Sequence, residues 1–444
     1  MGILEKYFKL SEKKTSVKQE FLAGVITFLT MSYILVVNPN VLSDTGMDKE
    51  ALFTTTALAT IVATLFMGIY AKLPIAQAPG MGLNSFFAYS VVLTMGYSWQ
   101  FALTAVFIEG IIFLLLTFFN VRELIVRNIP KVLKEAIPVG IGFFITLIGF
   151  KNAGFITSDA NTLVRIGDFS SHNVWIALVG LIITGILLIR NINGAILIGI
   201  LGATSIGLIL GDISLPSQII STPPSIAPIF GQAIQPMLSS EGWNQILSID
   251  MLIVVFTFLF VNLFDTIGTL IGVVSKTGIA DEDGNFPEMK KALFTDAFGT
   301  TIGSILGTSS VTSYVESASG VASGGRTGLT AVSVALMFGL ALFLSPIFLM
   351  IPAAATAPAL IIVGLFMISS IVKINFNDLS DAIPAFLTIV FMPFTYSIAE
   401  GIVFGVLSFT IYKFFTHKKS EITPTTYVLT FLFILKLILD VLKI

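Results

Sequence analysis

The sequence predicts an all-α polytopic membrane protein. Fourteen transmembrane segments form two inverted repeats of seven, with spans 3 and 10 each broken into a short extended stretch plus a half-helix. Three observations predict it. Of 444 residues, 55% are hydrophobic and only 11% charged, against about a quarter charged in a soluble chain. Basic residues collect on alternate connections between apolar segments. Five short motifs recur in the same order along the two halves.

The composition cannot cover a water-facing surface, which excludes a soluble enzyme and a disordered scaffold. A net charge of −2 supplies no field for nucleic acid. Cysteine is absent and there are two histidines, His172 and His417, so neither thiol chemistry nor an ordinary His-based metal site is expected. No cofactor is implied. The N-terminal stretch, with Lys6, Lys9, Lys13, Lys14 and Lys18 ahead of Phe21, lacks a cleavage signal and is expected to be a cytosolic tail.

A span needs about 20 apolar residues. Clear candidates cover 21–42, 51–70, 101–120, 132–150, 173–190, 194–211, 250–275, 292–307, 327–350, 355–373, 379–395 and 398–416. Two more stretches, 74–96 and 310–325, are long enough but poorly apolar at one end. Lys and Arg concentrate on the cytoplasmic side. With fourteen crossings and the N-terminus inside, nineteen basic residues are cytosolic: the five lysines, Lys72, Arg122, Arg127, Lys131, Lys134, Arg190, Lys276, Lys290, Lys291, Arg326, Lys373, Lys413, Lys418 and Lys419. Only Lys49, Lys151 and Arg165 are external, and Lys436 and Lys443 lie in the C-terminal tail. Removing either weak segment inverts every later loop and destroys the asymmetry. Trp99, Trp175 and Trp243 fall at or near outer span ends, as an interfacial aromatic belt requires. The apolar stretch 424–443 fits either a fifteenth span or an in-plane interfacial helix.

Ala51-Leu52-Phe53-Thr54 recurs as Ala292-Leu293-Phe294-Thr295, and Leu103-Thr104-Ala105-Val106 as Leu329-Thr330-Ala331-Val332. Thr27-Phe28-Leu29 recurs as Thr257-Phe258-Leu259. Gly142, Phe144 and Lys151 share a spacing with Gly364, Phe366 and Lys373, as do Ile196, Gly199 and Leu201 with Ile402, Gly405 and Leu407. Seven spans per copy is odd, so the second copy enters from the opposite side. Such inverted repeats are typical of secondary transporters, whose sites lie near the midplane between the copies.

The broken spans are repeat mates. Span 3 carries Pro74, Pro79, Gly80, Gly82 and Asn84; span 10 reads Ser309-Ser310-Val311-Thr312-Ser313-Tyr314-Val315-Glu316-Ser317. Irregular backbone at membrane depth survives where it is buried in protein or lines a cavity, and a matched pair points to a substrate site. The half-helix starts would present free N–H groups to a ligand. A polar packing seam is the bland alternative. Charges within the spans are few: Glu109, Asp265, Asp296, Glu316, and Glu400 near an outer end. Intramembrane carboxylates default to functional candidates. Asp265 and Glu316 lead. Asp296 sits near the start of span 9, where a carboxylate also suits a helix N-terminus. Glu109 awaits a partner. The Gly320–Thr327 stretch has Arg326 where a phosphate loop needs Lys, and Gly80-Met81-Gly82 lacks a third glycine; neither carries nucleotide chemistry here.

The stretches Thr27–Pro39, Gln77–Asn84, Asn262–Thr269 and Ser313–Gly328 closely resemble the AzgA-like purine permeases, a branch of the nucleobase–cation symporter-2 (nucleobase–ascorbate) family. The resemblance covers about Phe21 to Phe415. It implies the UraA-like fold, proton-coupled nucleobase uptake at the plasma membrane with both termini cytoplasmic, and a division into moving and static parts. The expected parts are a tail (1–20), core spans 1–4 (21–128), gate spans 5–7 (129–211), an external loop (212–248), core spans 8–11 (249–350), gate spans 12–14 (351–416) and a C-terminal tail (417–444). It assigns base binding to Glu316, the span-8 acidic position to Asp265, a position held by His in other branches to Thr269, and a polar span-3 position to Asn84. Asp265 replaces the Glu of uracil and xanthine branches, which favours purines.

Chemistry adds to this. An ionised Glu316 can accept from the adjacent N–H groups of guanine or from N1–H of hypoxanthine, whereas adenine requires a protonated carboxyl. A 6-oxopurine is therefore expected, with adenine, uracil or xanthine as alternatives. Thr269 and Ser317 would complete the polar rim, with Phe264 or Phe86 near the ring faces. Asp265, Glu316 and Asp296 are the candidate proton carriers, driven by the proton gradient, and the residues leave open which one acts. An anion transporter or channel of the same architecture is the different-class alternative. A homodimer is among the assemblies compatible with this reading.

Overall fold

A computed structural model describes residues 3–119, 130–160, 162–274, 286–416 and 418–442, without the side chains of Phe264, Ile271, Lys436 and 439–442. Arg122, Arg127, Lys276, His417 and Lys443 lie outside the described residues. Nine helices among the described residues are long and apolar enough to cross a membrane: Val17–Ser43, Lys49–Ala71, Trp99–Phe118, Lys131–Asn152, His172–Ile189, Ile249–Val274, Gly328–Leu349, Ala353–Lys373 and Ile398–Phe415. They coincide with spans 1, 2, 4, 5, 6, 8, 11, 12 and 14 of the sequence reading. Span 7 (Ala195–Leu210) and span 13 (Leu379–Thr395) are shorter apolar helices. Span 9 (Met289–Leu306) is long enough but polar, carrying Thr295, Asp296, Thr300, Thr301 and Ser304 on buried positions.

Side-chain caps mark several starts. Ser16 accepts from Gln19 N, Asp48 from Ala51 N, Ser98 from Phe101 N and Ser397 from Glu400 N, each satisfying an orphan donor of a first turn. Glu400 is thus a first-turn residue of span 14. Span 1 is interrupted at Ser32–Tyr33 between Val17–Met31 and Ile34–Ser43.

Packing sorts the spans into two groups. Spans 4 and 9, 1 and 11, 2 and 11, and 4 and 8 lie side by side in the first; spans 5 and 12, 13 and 14, 6 and 7, and 5 and 13 do so in the second. The repeat mates 5 and 12 meet at two glycines: a Cβ on Gly142 would lie 2.7 Å from Gly364 O, and one on Gly364 would lie 2.5 Å from Gly142 O. Only glycine permits that approach. The segment 212–248 folds back over the first group, with Thr54 Oγ1 donating to Pro224 O (2.9 Å) and Gly231 N to Ile305 O (2.7 Å).

The C-terminal helix Pro424–Leu442 runs along the bundle. Thr430 is hydrogen-bonded to Thr410 of span 14 at 2.7 Å, and the Phe433 ring meets Phe256 of span 8 edge-on at 5.6 Å. Thr426, Leu429, Thr430 and Phe433 are buried while Tyr427, Val428, Phe431 and Ile434 are exposed. The buried face, with its two threonines, packs against spans 14 and 8, and the opposite face is apolar.

Candidate functional site

The broken spans pair with each other. Strand β1 (Gln77–Pro79) of span 3 and strand β4 (Val311–Ser313) of span 10 are antiparallel, with Gln77 opposite Ser313, Ala78 opposite Thr312 and Pro79 opposite Val311. The other two strands, β2 (Ile156–Asp159) and β3 (Leu163–Ile166), form a separate hairpin between spans 5 and 6. Gly80 N donates to Ser310 O (3.0 Å) and Tyr314 N to Ala76 O (2.9 Å), so the ladder is symmetric about its centre. Each stretch supplies the partners that backbone at membrane depth demands of the other. Each strand then turns into a half-helix, Met81–Ser85 after Gly80 and Ser317–Ala322 after Glu316. The expected extended-then-helical form is present in both.

Beside this ladder lies a cavity of about 370 Å³, within the roughly 300–1,000 Å³ usual for ligand pockets. Tyr33, Gly80, Asp265, Thr269 and Glu316 line one wall; Ile137, Ile141, Phe366 and Lys373 line the other. Spans 3 and 10 pack on spans 1, 2 and 9, so the first set belongs to the first packing group and the second to the other. Asp265 and Thr269 share the wall because they are one helical turn apart. Both carboxylates are partly exposed to this space. A second cavity of about 770 Å³ shares Val315, Glu316, Phe366 and Ser369 with it and extends toward the connections around Asn191–Gly194 and Ile371.

Tyr33 Oη donates to Glu316 Oε1 at 2.7 Å. Sequence reasoning missed Tyr33; the polar run Thr30-Met31-Ser32-Tyr33 inside an apolar span was the available signal. It stands at the interruption of span 1, which releases its side chain toward span 10. Gly80 does more than break a helix. A Cβ there would lie 2.5 Å from Thr312 Cγ2 and 3.5 Å from Asp265 Oδ2, so glycine lets the ladder pass close to the carboxylate.

Three expected residues do not face the cavity. Asn84 is buried and accepts from Ser309 Oγ, tying the two broken spans together. Ser317 Oγ accepts from Ala76 N at 3.0 Å, fastening the entry of span 3. Phe86 is fully buried edge-on to Phe258 at 4.8 Å. The side chain of Phe264 lies outside the described residues. Asp296 is buried one layer behind the ladder, about two turns inside a helix that starts at Met289, so its expected place at a helix start is corrected. Thr266 Oγ1 lies 2.7 Å from Asp296 Oδ1, 3.0 Å from Asn262 Oδ1 and 3.0 Å from Thr312 Oγ1. Asn262 Nδ2 donates to Glu109 Oε1 (2.7 Å) and Ser310 Oγ to Glu109 Oε2 (2.5 Å). Glu109 thus has its partners, within a buried polar network that reaches the cavity at Thr312. Among the described residues no cluster of three or more His, Cys, Asp or Glu could hold a metal ion.

The family profile Xan_ur_permease, described as "Permease family", matches residues 18–404. The chain is 46% identical over 437 residues to the adenine permease AdeP of Escherichia coli K12, covering 98% of this chain and 96% of that protein. It is 44% identical over 441 residues to the guanine/hypoxanthine permease PbuG of Bacillus subtilis 168, covering 97% and 99%. In fold it is similar to the transmembrane domain of the cyanobacterial bicarbonate transporter BicA, at TM-score 0.63 and 14% identity over 88% of this chain and 97% of that one. It is also similar to SLC26A9, at TM-score 0.61 and 11% identity over 91% and 67%. The resemblance read from the Asp265 and Glu316 motifs therefore holds: the chain belongs to the Xan_ur_permease family of permeases, and is a membrane transporter and not an enzyme.

Proposed function

We propose that this permease is a secondary active transporter that imports purine nucleobases, hypoxanthine and guanine foremost, by proton symport across the plasma membrane. The observation that carries the reading is the cavity in which Asp265 and Glu316 share one wall, with Glu316 held by Tyr33. A carboxylate fixed by a phenol donor presents acceptor oxygens to the edge N–H groups of a 6-oxopurine. Transport follows from movement of a core (21–128 and 249–350) against a gate (129–211 and 351–416), since the cavity lies between the two packing groups. Asp265 and Glu316 are the proton carriers of this reading, and Asp296 is linked through Thr266 to Thr312 on the cavity lining.

Adenine is the second reading, favoured by the similarity to the adenine permease of Escherichia coli; it requires a protonated Glu316. An anion as cargo is opposed by two carboxylates on one wall, because like charges repel in a low-dielectric site. The test is uptake of radiolabelled hypoxanthine, guanine, adenine, uracil and xanthine in cells without purine permeases, with and without an uncoupler. Saturable hypoxanthine and guanine uptake that the uncoupler abolishes is expected. No purine accumulation, or accumulation indifferent to the proton gradient, would sink the proposal, and Glu316→Gln with undiminished uptake would sink the site.

A further inference from the structure

Phe144 and Phe366 occupy equivalent places in the two repeats, two residues after the glycines at which spans 5 and 12 touch and seven before Lys151 and Lys373. Equivalent sequence positions have opposite surroundings here. Phe366 is 43% exposed and lines both cavities, sharing them with Glu316. Phe144 is fully buried, edge-on to the Tyr396 ring at 5.9 Å.

What covers Phe144 is a contact between the two packing groups. Ser90 Oγ of span 3 donates to Tyr396 O at 2.9 Å. Alongside, Tyr89 Oη donates to Asp44 Oδ2 at 2.8 Å, and Asn152 Nδ2 of span 5 reaches Tyr89 Oη at 3.5 Å. Tyr396 itself holds a left-handed backbone, φ +53°, a conformation a bulky residue keeps only where its surroundings enforce it. The route is thus shut at the Phe144 end and open at the Phe366 end. Since the two halves are inverted copies, the opposite state exchanges these environments.

We propose that Phe144 and Phe366 are a matched pair of route-lining residues, Phe366 flanking the passage on the Lys373 side and Phe144 taking the same place on the Lys151 side once the Ser90–Tyr396 contact parts. Each ring offers an aromatic face to a planar base in transit. This rests on the transport reading above, and assigns to the gate a substrate-facing role that Asp265 and Glu316 do not fill.

The chain has no cysteine, so Phe144→Cys and Phe366→Cys each place a single thiol for a membrane-impermeant maleimide applied to right-side-out or inverted vesicles. Phe366→Cys should label from the Lys373 side and Phe144→Cys slowly from either side. Substrate with a proton gradient should move the two rates several-fold in opposite directions. Ser90→Ala in the Phe366→Cys background removes the closing donor and leaves Phe144 in place, and should lower Phe366→Cys labelling several-fold. Rates that shift together, or Phe366→Cys labelling unmoved by Ser90→Ala in a protein that still transports, would overturn the pair. If labelling shifts as expected while no nucleobase is taken up, the pair stands and the substrate assignment fails.

Discussion

Tyr33 Oη and Glu316 Oε1 are joined by a 2.7 Å hydrogen bond that ties the interruption of span 1 to the break of span 10. Hydrogen bonds to charged groups are worth about 1.5–3 kcal/mol. Tyr33→Phe removes the donor and keeps the ring, so KM for purine uptake should rise about ten- to hundredfold with normal membrane insertion. An unchanged KM would show that the phenol does not set the carboxylate.

Gly80 passes between Thr312 and Asp265. Gly80→Ala puts a methyl 2.5 Å from Thr312 Cγ2, so the ladder must shift beside Asp265 and uptake should be abolished. Thr312→Ser deletes that methyl and keeps the hydroxyl bonded to Thr266. The double variant should recover a substantial fraction of uptake, and failure to recover any would locate the defect elsewhere.

Glu109 accepts from Asn262 and Ser310 behind the ladder. Glu109→Gln turns one acceptor into a donor facing a donor, at a cost of about 1–3 kcal/mol, and should lower the thermal midpoint in detergent. Adding Ser310→Ala removes one of the clashing donors. The pair should be less than additive; strict additivity would mean that the two do not interact.

Asp378, at the start of span 13, is bound by Lys418 Nζ at 2.5 Å and by Ser380. The Lys418 ammonium and the Ser380 hydroxyl hold its carboxyl well below the usual carboxylate range. A depressed pKa stabilises the fold above the unfolded value, about 3.9, and that contribution is lost as pH falls from there toward the lower folded value. This contact is therefore constant between about pH 5 and 8. Asp378→Asn should leave the shape of the uptake–pH profile in that window unchanged, and a shifted profile would implicate Asp378 in coupling.

The helix Pro424–Leu442 has 19 residues, about 28 Å of rise, close to the hydrocarbon thickness of about 30 Å. Standing beside spans 8 and 14, it should carry the C-terminus to the face opposite Thr416, contrary to the cytoplasmic C-terminus expected from sequence. A C-terminal phosphatase fusion should be active outside the cell and a fluorescent fusion dark. The reverse result would return the helix to the interface.

The architecture was legible because lipid imposes it residue by residue: an apolar run declares a span, a lysine declares a side, and recurring motifs declare the inverted copies. Breaks at Pro79–Gly80 and Ser309–Ser313 were legible for the same reason, since polar or proline-rich backbone at membrane depth needs a partner. Asp265 and Glu316 stood out as uncompensated charges. Sequence alone could not say which polar side chains turn toward the cavity. Asn84 and Ser317 look like ligand residues by type, yet their hydrogen bonds are consumed in lashing spans 3 and 10 together. Tyr33 looks like span filler and instead reaches Glu316, 283 positions further along the chain. The same blindness applies to Phe144 and Phe366, equal by repeat position and unequal in exposure. Pattern along a chain reports what solvent each segment requires; which group meets which is decided by packing between distant segments, and by the conformational state in which that packing is closed.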